Sequence, residues 1–340
     1  MRTIFKNELA RYFVYKSKQN QIVKNFYRLF PDKYADNFHY IRSAFLELSS
    51  NCNLKCPFCT NRFRTSGNHM TYEKAIEYFN KLPRTIKNLQ LHFSGESFLN
   101  TDISRITQFL SEKGLFLSVS TNGTLPAQKY IATLKNGLDQ LIFAVDGATP
   151  ETHEKYRVGS HFDKIIETLE DVIKHRPARS RVGVQYLVTR YNEAEVGKMR
   201  VLLKRLGADF FNLKTLSLDI AASEKLDEKK LENANNFLPK NQKYSRYRFR
   251  RGELKLKYPI IICPFVYQPV VCADGEVCLC CIDLERKTSI GNLDDFRSFE
   301  DLWNTDSYRS IRKQVINKDL SICQRCNYCF SGLKSVPLHP

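Results

Sequence analysis

Residues 44–60 read Ala44-Phe45-Leu46-Glu47-Leu48-Ser49-Ser50-Asn51-Cys52-Asn53-Leu54-Lys55-Cys56-Pro57-Phe58-Cys59-Thr60. The apolar opening, Ala44 to Leu48, has the make-up of a strand, and the polar Ser49-Ser50-Asn51 ends it. Cys52, Cys56 and Cys59 then stand in a Cys-x3-Cys-x2-Cys spacing. Three thiolates held this closely can ligate three irons of a [4Fe-4S] cube and leave the fourth iron open to a chelating small molecule. A structural zinc ion wants four ligands, commonly in two Cys-x2-Cys or Cys/His pairs, so this spacing suits it poorly.

The bulk of the chain sets outer bounds. Its 340 residues are enough for one large domain and a small one, and 42% hydrophobic composition is ordinary for a globular protein. No apolar run approaches the length of a membrane span; Pro259 to Ala273, the most apolar stretch, is cut by Pro264, Gln268 and Pro269. The first thirty residues mix Arg2, Lys6, Glu8, Arg11, Lys16 and Lys18 with short apolar pieces, which is not a secretory signal. Eleven cysteines without an export signal point to metal chemistry in a reducing compartment, so a cytoplasmic protein is expected.

A formal net charge of +17 calls for an acidic counterpart: an anionic small-molecule substrate, an acidic redox partner, nucleic acid or an anionic membrane surface. Basic residues concentrate in the N-terminal extension, 1–42, and between Lys240 and Lys257, where Arg246, Arg248 and Arg250 alternate with Tyr247 and Phe249. That alternation reads as a strand with a basic and an aromatic face. Such a strand more often covers a packed aromatic row than binds single-stranded nucleic acid, so nucleic acid is disfavoured. The extension offers either a peripheral membrane-surface helix or a segment packed across the sheet.

Between the cysteine loop and residue 220 strand-like and helical patterns alternate. Runs at Leu89–Phe93, Leu115–Ser120, Gln140–Val145, Val182–Val188 and Phe210–Lys214 follow the first strand, with helices expected near 72–82, 102–113, 126–136, 161–175 and 193–206. Thr71 and the pair Thr149-Pro150 mark helix starts. Six strands joined by helices predict an α/β protein with a parallel sheet. Its chemistry then sits at the C-terminal strand ends, where the cysteine loop lies. Residues 221–258 lose the pattern and read as a connecting region; the other eight cysteines fall between Cys263 and Cys329, marking a cysteine-built domain over 259–335.

The cysteine loop and the strand-end motifs together resemble the radical S-adenosylmethionine (radical SAM) superfamily. The resemblance implies a partial (β/α)6 barrel over 43–220 and a SAM-binding [4Fe-4S] cluster on Cys52, Cys56 and Cys59. Phe58, just before the third cysteine, would border the adenine. Ser94-Gly95-Glu96-Ser97 stands where the family shows Gly-Gly-Glu-Pro, so the match rests on Gly95 and on Glu96, which would take the cofactor's ammonium group. Ser120-Thr121-Asn122-Gly123 resembles the family's Ser/Thr-Asn-Gly and would reach ribose or carboxylate. Ala144-Val145-Asp146-Gly147 lacks the serine common in relatives. Arg157 would pair with the cofactor carboxylate through its guanidinium fork, and Leu187 and Asn192 would border the adenine.

Cys263-x16-Cys280 with Cys323-x2-Cys326 resembles the SPASM or shorter twitch extension, which implies one auxiliary [4Fe-4S] cluster on these four thiols. Asp274-Gly275-Glu276-Val277 carries a hairpin signal within it. The remaining Cys272, Cys278, Cys281 and Cys329 have the ligand count for a second cluster, and Cys278-x2-Cys281 with Cys323-x2-Cys326 has that of a zinc ribbon. The layout resembles 2-deoxy-scyllo-inosamine dehydrogenase-like enzymes. The expectation is an oxidoreductase acting on a sugar- or cyclitol-like small molecule, with electrons entering from a flavodoxin or ferredoxin. The alternatives are a SPASM maturase of peptides or proteins, an epimerase in which Cys281 returns a hydrogen atom, and a non-catalytic metal-bound nucleic-acid scaffold.

Overall fold

In the computed structural model, residues 38–59, 61, 67–218, 236–250, 253–257, 263–280, 283–284, 286–324, 326 and 333–338 are described. The N-terminal extension to residue 37, positions 219–235 of the connecting region, Cys281 and Cys329 lie outside them.

Six strands, β1 (Ser43–Leu46), β2 (Asn88–Gln90), β3 (Phe116–Thr121), β4 (Gln140–Ala144), β5 (Arg181–Val188) and β6 (Phe210–Thr215), lie side by side in chain order. Every neighbouring pair among them is parallel, as the alternating pattern predicts. The crossovers carry helices α1 (Tyr72–Lys81), α2 (Ile103–Glu112), α3 (Ala127–Lys135), the short α4 (Pro150–Glu154), α5 (Phe162–His175) and α6 (Val196–Leu206).

Local chemistry explains these boundaries. The Thr71 hydroxyl accepts from Lys74 N at the start of α1, and Thr149 does the same for Thr152 N with Pro150 in the first turn of α4. Helix α5 buries Phe162, Ile165, Leu169, Val172 and Ile173, a spacing of three and four that forms one apolar stripe. That stripe joins Leu89, Leu117, Leu141, Val182 and Phe211 from the helix-facing side of the sheet in one core. Each such side chain contributes roughly 1.5–3 kcal/mol on burial.

The cysteine-rich segment continues the same sheet. Strand β9 (Val270–Val271) runs parallel to β1, with Phe45 opposite Val270, and β10 (Glu276–Cys278) and β11 (Ser289–Asn292) follow antiparallel. At the far edge β12 (Leu333–Val336) pairs antiparallel with β6. The ten-stranded order is β11-β10-β9-β1-β2-β3-β4-β5-β6-β12, with β11 and β12 at opposite edges, so the parallel strands form an open arc. Gly275 makes the hairpin expected at Asp274-Gly275, with φ of +83° that favours glycine. Helices α7 (Phe299–Trp303), α8 (Asp306–Asn317) and α9 (Ser321–Gln324) then bring the chain to Cys323 and Cys326.

The basic-aromatic stretch forms the hairpin of β7 (Tyr247–Arg250) and β8 (Glu253–Leu256). One expectation fails at its edge. Arg246 does not continue a basic outer face: it is buried, its Nε bonding Thr215 Oγ1 at 2.9 Å and its Nη2 the Thr215 carbonyl at 2.7 Å, because the end of β6 offers acceptors that a buried guanidinium needs.

Candidate functional site

The cysteine loop leaves β1 and packs directly on the backbone after β2. A side chain at Gly95 would collide with the carbonyl oxygens of Ser49 and Asn51, and Glu96 N donates to the Asn51 carbonyl at 2.7 Å. On the other side Lys55 N donates to the Val158 carbonyl at 3.1 Å. The loop is thus pinned between the second and fourth strand ends.

Cys52, Cys56 and Cys59 come together there. Burial pushes the Cys52 thiol up, with the charges of Glu96 and Cys59 adding to the effect. Burial likewise pushes Cys56 up to about 11, opposed by Arg157 and reinforced by Cys59, Asp146 and Cys52. Thiols this close raise one another and need positive charge once ionised. Arg157 supplies it: its Nη1 lies 3.9 Å from Cys56 Sγ while its Nε bonds the buried Asp146 Oδ2 at 2.6 Å. Asn122 Nδ2 stands 3.9 Å from Cys52 Sγ. Among the described residues no three His, Cys, Asp or Glu side chains converge on a single-ion position.

Glu96 and Asn122 join this loop to the third strand end. The Glu96 carboxylate is buried, which raises its proton affinity, and it accepts from Thr121 Oγ1 at 2.9 Å, Phe98 N at 3.1 Å and Asn122 N at 2.7 Å. Three of its four or so lone-pair sites are taken, leaving capacity for one more donor. Thr121 points inward to Glu96 and Tyr130. Ser120 N donates to His92 Nδ1 at 3.2 Å. Asn192 is fully buried and braces the backbone carbonyls of Asp146 and Leu187.

The departures at Ser94 and Ser97 have local causes. Ser94 donates through N and Oγ to the buried Glu47, and Ser97 Oγ donates to the Leu91 carbonyl at 2.6 Å. Sequence reasoning passed over Glu47, although a lone acid inside the apolar run Ala44 to Leu48 was a signal. Its other oxygen accepts from Ala273 N at 3.2 Å and faces Arg286, which also binds Asp274 and Glu276.

An apolar wall stands beside the loop. Phe58 stacks on Tyr156 with ring centroids 6.5 Å apart, and Phe237 meets both rings edge-on. Leu54, Leu187, Leu216, Leu218 and Leu238 fill around them. Phe237 was invisible as a site residue because it falls in the patternless connecting region.

The other described cysteines divide into two groups. Burial, with the thiolate charges of Cys326 and Cys323 adding, pushes Cys263 up to about 12; Cys323 goes up to about 12 from burial, Cys280 and Cys326. These mutual influences put Cys263, Cys280, Cys323 and Cys326 within electrostatic range of one another, and four thiols are the ligand number of a complete cube. Cys272 and Cys278 are free thiols hydrogen-bonded to each other in a buried pocket with Val270, Phe45 and Phe93. Cys281, which both the second-cluster and the zinc-ribbon groupings need, lies outside the described residues.

Comparison with known proteins gives concordant results. Residues 46–203 match the model of the radical SAM superfamily, and 263–329 match that of the SPASM iron-sulfur cluster-binding domain. An AdoMet-dependent heme synthase of Methanosarcina barkeri is 27% identical over 48% of this chain and 47% of its own length, so the chain matches about half of that relative. A tungsten-containing aldehyde ferredoxin oxidoreductase cofactor-modifying protein of Pyrococcus furiosus is 25% identical over 84% of this chain and 87% of its own. Among solved structures, BtrN in complex with AdoMet and 2-DOIA superposes with a TM-score of 0.52 at 18% identity, covering 85% of this chain and 93% of that one. Native anSMEcpe with bound AdoMet gives 0.59 at 17%, covering 85% and 89%. Streptococcus suis SuiB bound to S-adenosylmethionine gives 0.60 at 12%, covering 91% and 79%. These likenesses show the shared fold.

Proposed function

Because this is a radical SAM protein, with a SPASM domain behind its radical SAM domain, we propose that it oxidises a sugar- or cyclitol-like small molecule, the released electron passing to an auxiliary cluster. When bound, the site cluster and S-adenosylmethionine supply a 5'-deoxyadenosyl radical that takes a hydrogen atom from an unactivated carbon. The chain's residues prepare that event. Cys52, Cys56 and Cys59 hold the site cluster; Arg157, clamped by Asp146, offsets its negative charge. Glu96 offers its remaining lone pair to the cofactor's ammonium, and Phe58, Tyr156 and Leu187 shield the adenine from water. Ser120, Asn122 and the backbone at Gly95 complete the cofactor's polar contacts. A small acidic flavodoxin or ferredoxin suits the basic chain as electron donor.

The observation that carries the oxidative reading is the single group of Cys263, Cys280, Cys323 and Cys326, with Cys272 and Cys278 paired elsewhere. These four thiols would hold one fully ligated auxiliary cluster, which would supply an electron acceptor. The test is transfer of deuterium from 2-deoxy-scyllo-inosamine, labelled at its carbinol carbons, into 5'-deoxyadenosine. Labelled 5'-deoxyadenosine together with the ketone supports the reading; unlabelled 5'-deoxyadenosine with no ketone from this and related aminocyclitols rejects it.

The relative matched along most of both chains is named for modifying another enzyme's cofactor, which favours a second reading, modification of a protein or of its cofactor. Turnover that requires a protein or peptide substrate would establish it over the first.

A further inference from the structure

Strand β4 ends at Ala144, yet its pairing with β5 runs on. Val145 N donates to the Gln185 carbonyl at 3.1 Å, and the next β5 donor facing β4, Leu187 N, meets Asp146 Oδ1 at 2.6 Å. A carboxylate here replaces the backbone acceptor that the ladder has lost. The surrounding main chain is braced by other groups. Asn192 Nδ2 donates to the Asp146 and Leu187 carbonyls at 2.7 and 2.8 Å, and Asp146 N donates to His153 Nδ1 at 3.1 Å.

The second carboxylate oxygen has a different task. Asp146 is fully buried, and its Oδ2 accepts from Arg157 Nε at 2.6 Å. A buried ion pair adds little net stability, because desolvation offsets most of the Coulomb attraction. What this pair fixes is orientation: the guanidinium is planar, so a bond at Nε sets where its other two nitrogens point. Nη1 faces Cys56 Sγ at 3.9 Å, and Nη2 bonds no described residue. Leu187, on the other oxygen, belongs to the apolar wall with Cys56, Phe58 and Tyr156. One carboxylate therefore reaches both the charged and the apolar side of the same pocket.

We infer that Asp146 is a positioning residue for S-adenosylmethionine: it sets the Arg157 guanidinium plane so that one nitrogen stays beside the site-cluster thiols and another is left for the cofactor's carboxylate. The inference rests on the cofactor reading above and names the residue that gives Arg157 its aim. Asp146→Asn tests this selectively. It keeps an acceptor for Leu187 N but turns an amide N–H towards Arg157 Nε, donor against donor. The bonds from Asn192 and His153 to the main chain at Asp146 do not involve its side chain, so they persist in the variant.

The test measures binding of labelled S-adenosylmethionine by equilibrium dialysis to full-length, anaerobically reconstituted protein kept oxidised, so that no turnover intervenes. Asp146→Asn and Arg157→Gln are each expected to weaken binding about tenfold or more, and the double variant to stay within about twofold of Arg157→Gln, since Asp146 acts through Arg157. Arg157→Lys keeps the charge but not the fork, and is expected to lose about as much as Arg157→Gln. This last variant decides the matter if Asp146→Asn fails to take up iron. Affinity of Asp146→Asn within about twofold of wild type overturns the inference, as does a further loss of about tenfold in the double variant or near-wild-type affinity in Arg157→Lys. Failure of the underlying reading shows differently, as wild-type, iron-loaded protein that binds no S-adenosylmethionine.

Discussion

Glu96 shows how one buried acid holds two strand ends together. It satisfies the backbone N–H groups of Phe98 and Asn122, so Glu96→Ala strands both donors and is expected to cost about 2–4 kcal/mol. Glu96→Gln, which keeps an acceptor, should lose about half as much; equal denaturant midpoints for all three proteins would remove Glu96 from this role. His153 gives a pH signature. It is fully buried, accepts from Asp146 N, and burial lowers its proton affinity to a value of about 4. The unfolded chain then binds the proton more tightly below pH 6.5, so stability is lost as pH falls from 6.5 towards 4 and is level above. Between pH 7.5 and pH 5 this amounts to about 2 kcal/mol, and His153→Gln should remove that share of the pH dependence in urea melts. The sequence displayed Gly95-Glu96 and Thr121-Asn122 as separate motifs. It could not display the bond between them, because residues that meet from different strands carry no local pattern.

At the scale of elements, Gly95 governs the site loop. A methyl group there meets backbone oxygens that cannot swing aside, so Gly95→Ala is expected to cost roughly 1–3 kcal/mol and to displace the cysteine loop. Iron content after reconstitution should fall from about eight to about four per chain, the auxiliary set being untouched; undiminished iron would show that the loop tolerates the contact. Strands β1–β6 and their helices were legible because each crossover alternates a period of two with one near four. The addition of β9–β11 and β12 to the same sheet was not. These strands are short, down to the two residues of β9, and pair with partners distant in sequence, so no periodicity announces them.

Across the whole molecule, Arg286 ties the auxiliary-cluster hairpin to the radical SAM sheet through Asp274, Glu276 and Glu47. Glu47 is almost wholly buried, so Arg286→Met leaves its charge poorly compensated and is expected to cost about 2 kcal/mol or more. A melting temperature equal to wild type would show the tie to be slack. The two domains this tie joins were legible from their cysteine spacing; the polar bridge between them was not, since Glu47 looked like part of an apolar strand. We propose that two separate thiol sets hold two clusters, one of which works with S-adenosylmethionine. The most direct measurement is anaerobic reconstitution followed by iron count and 5'-deoxyadenosine yield, for wild type and for the Cys52→Ala/Cys56→Ala/Cys59→Ala variant. About eight irons with 5'-deoxyadenosine are expected in the wild type, and about four irons with none in the variant. Zinc in place of iron, or 5'-deoxyadenosine formed as readily by the variant, would contradict it.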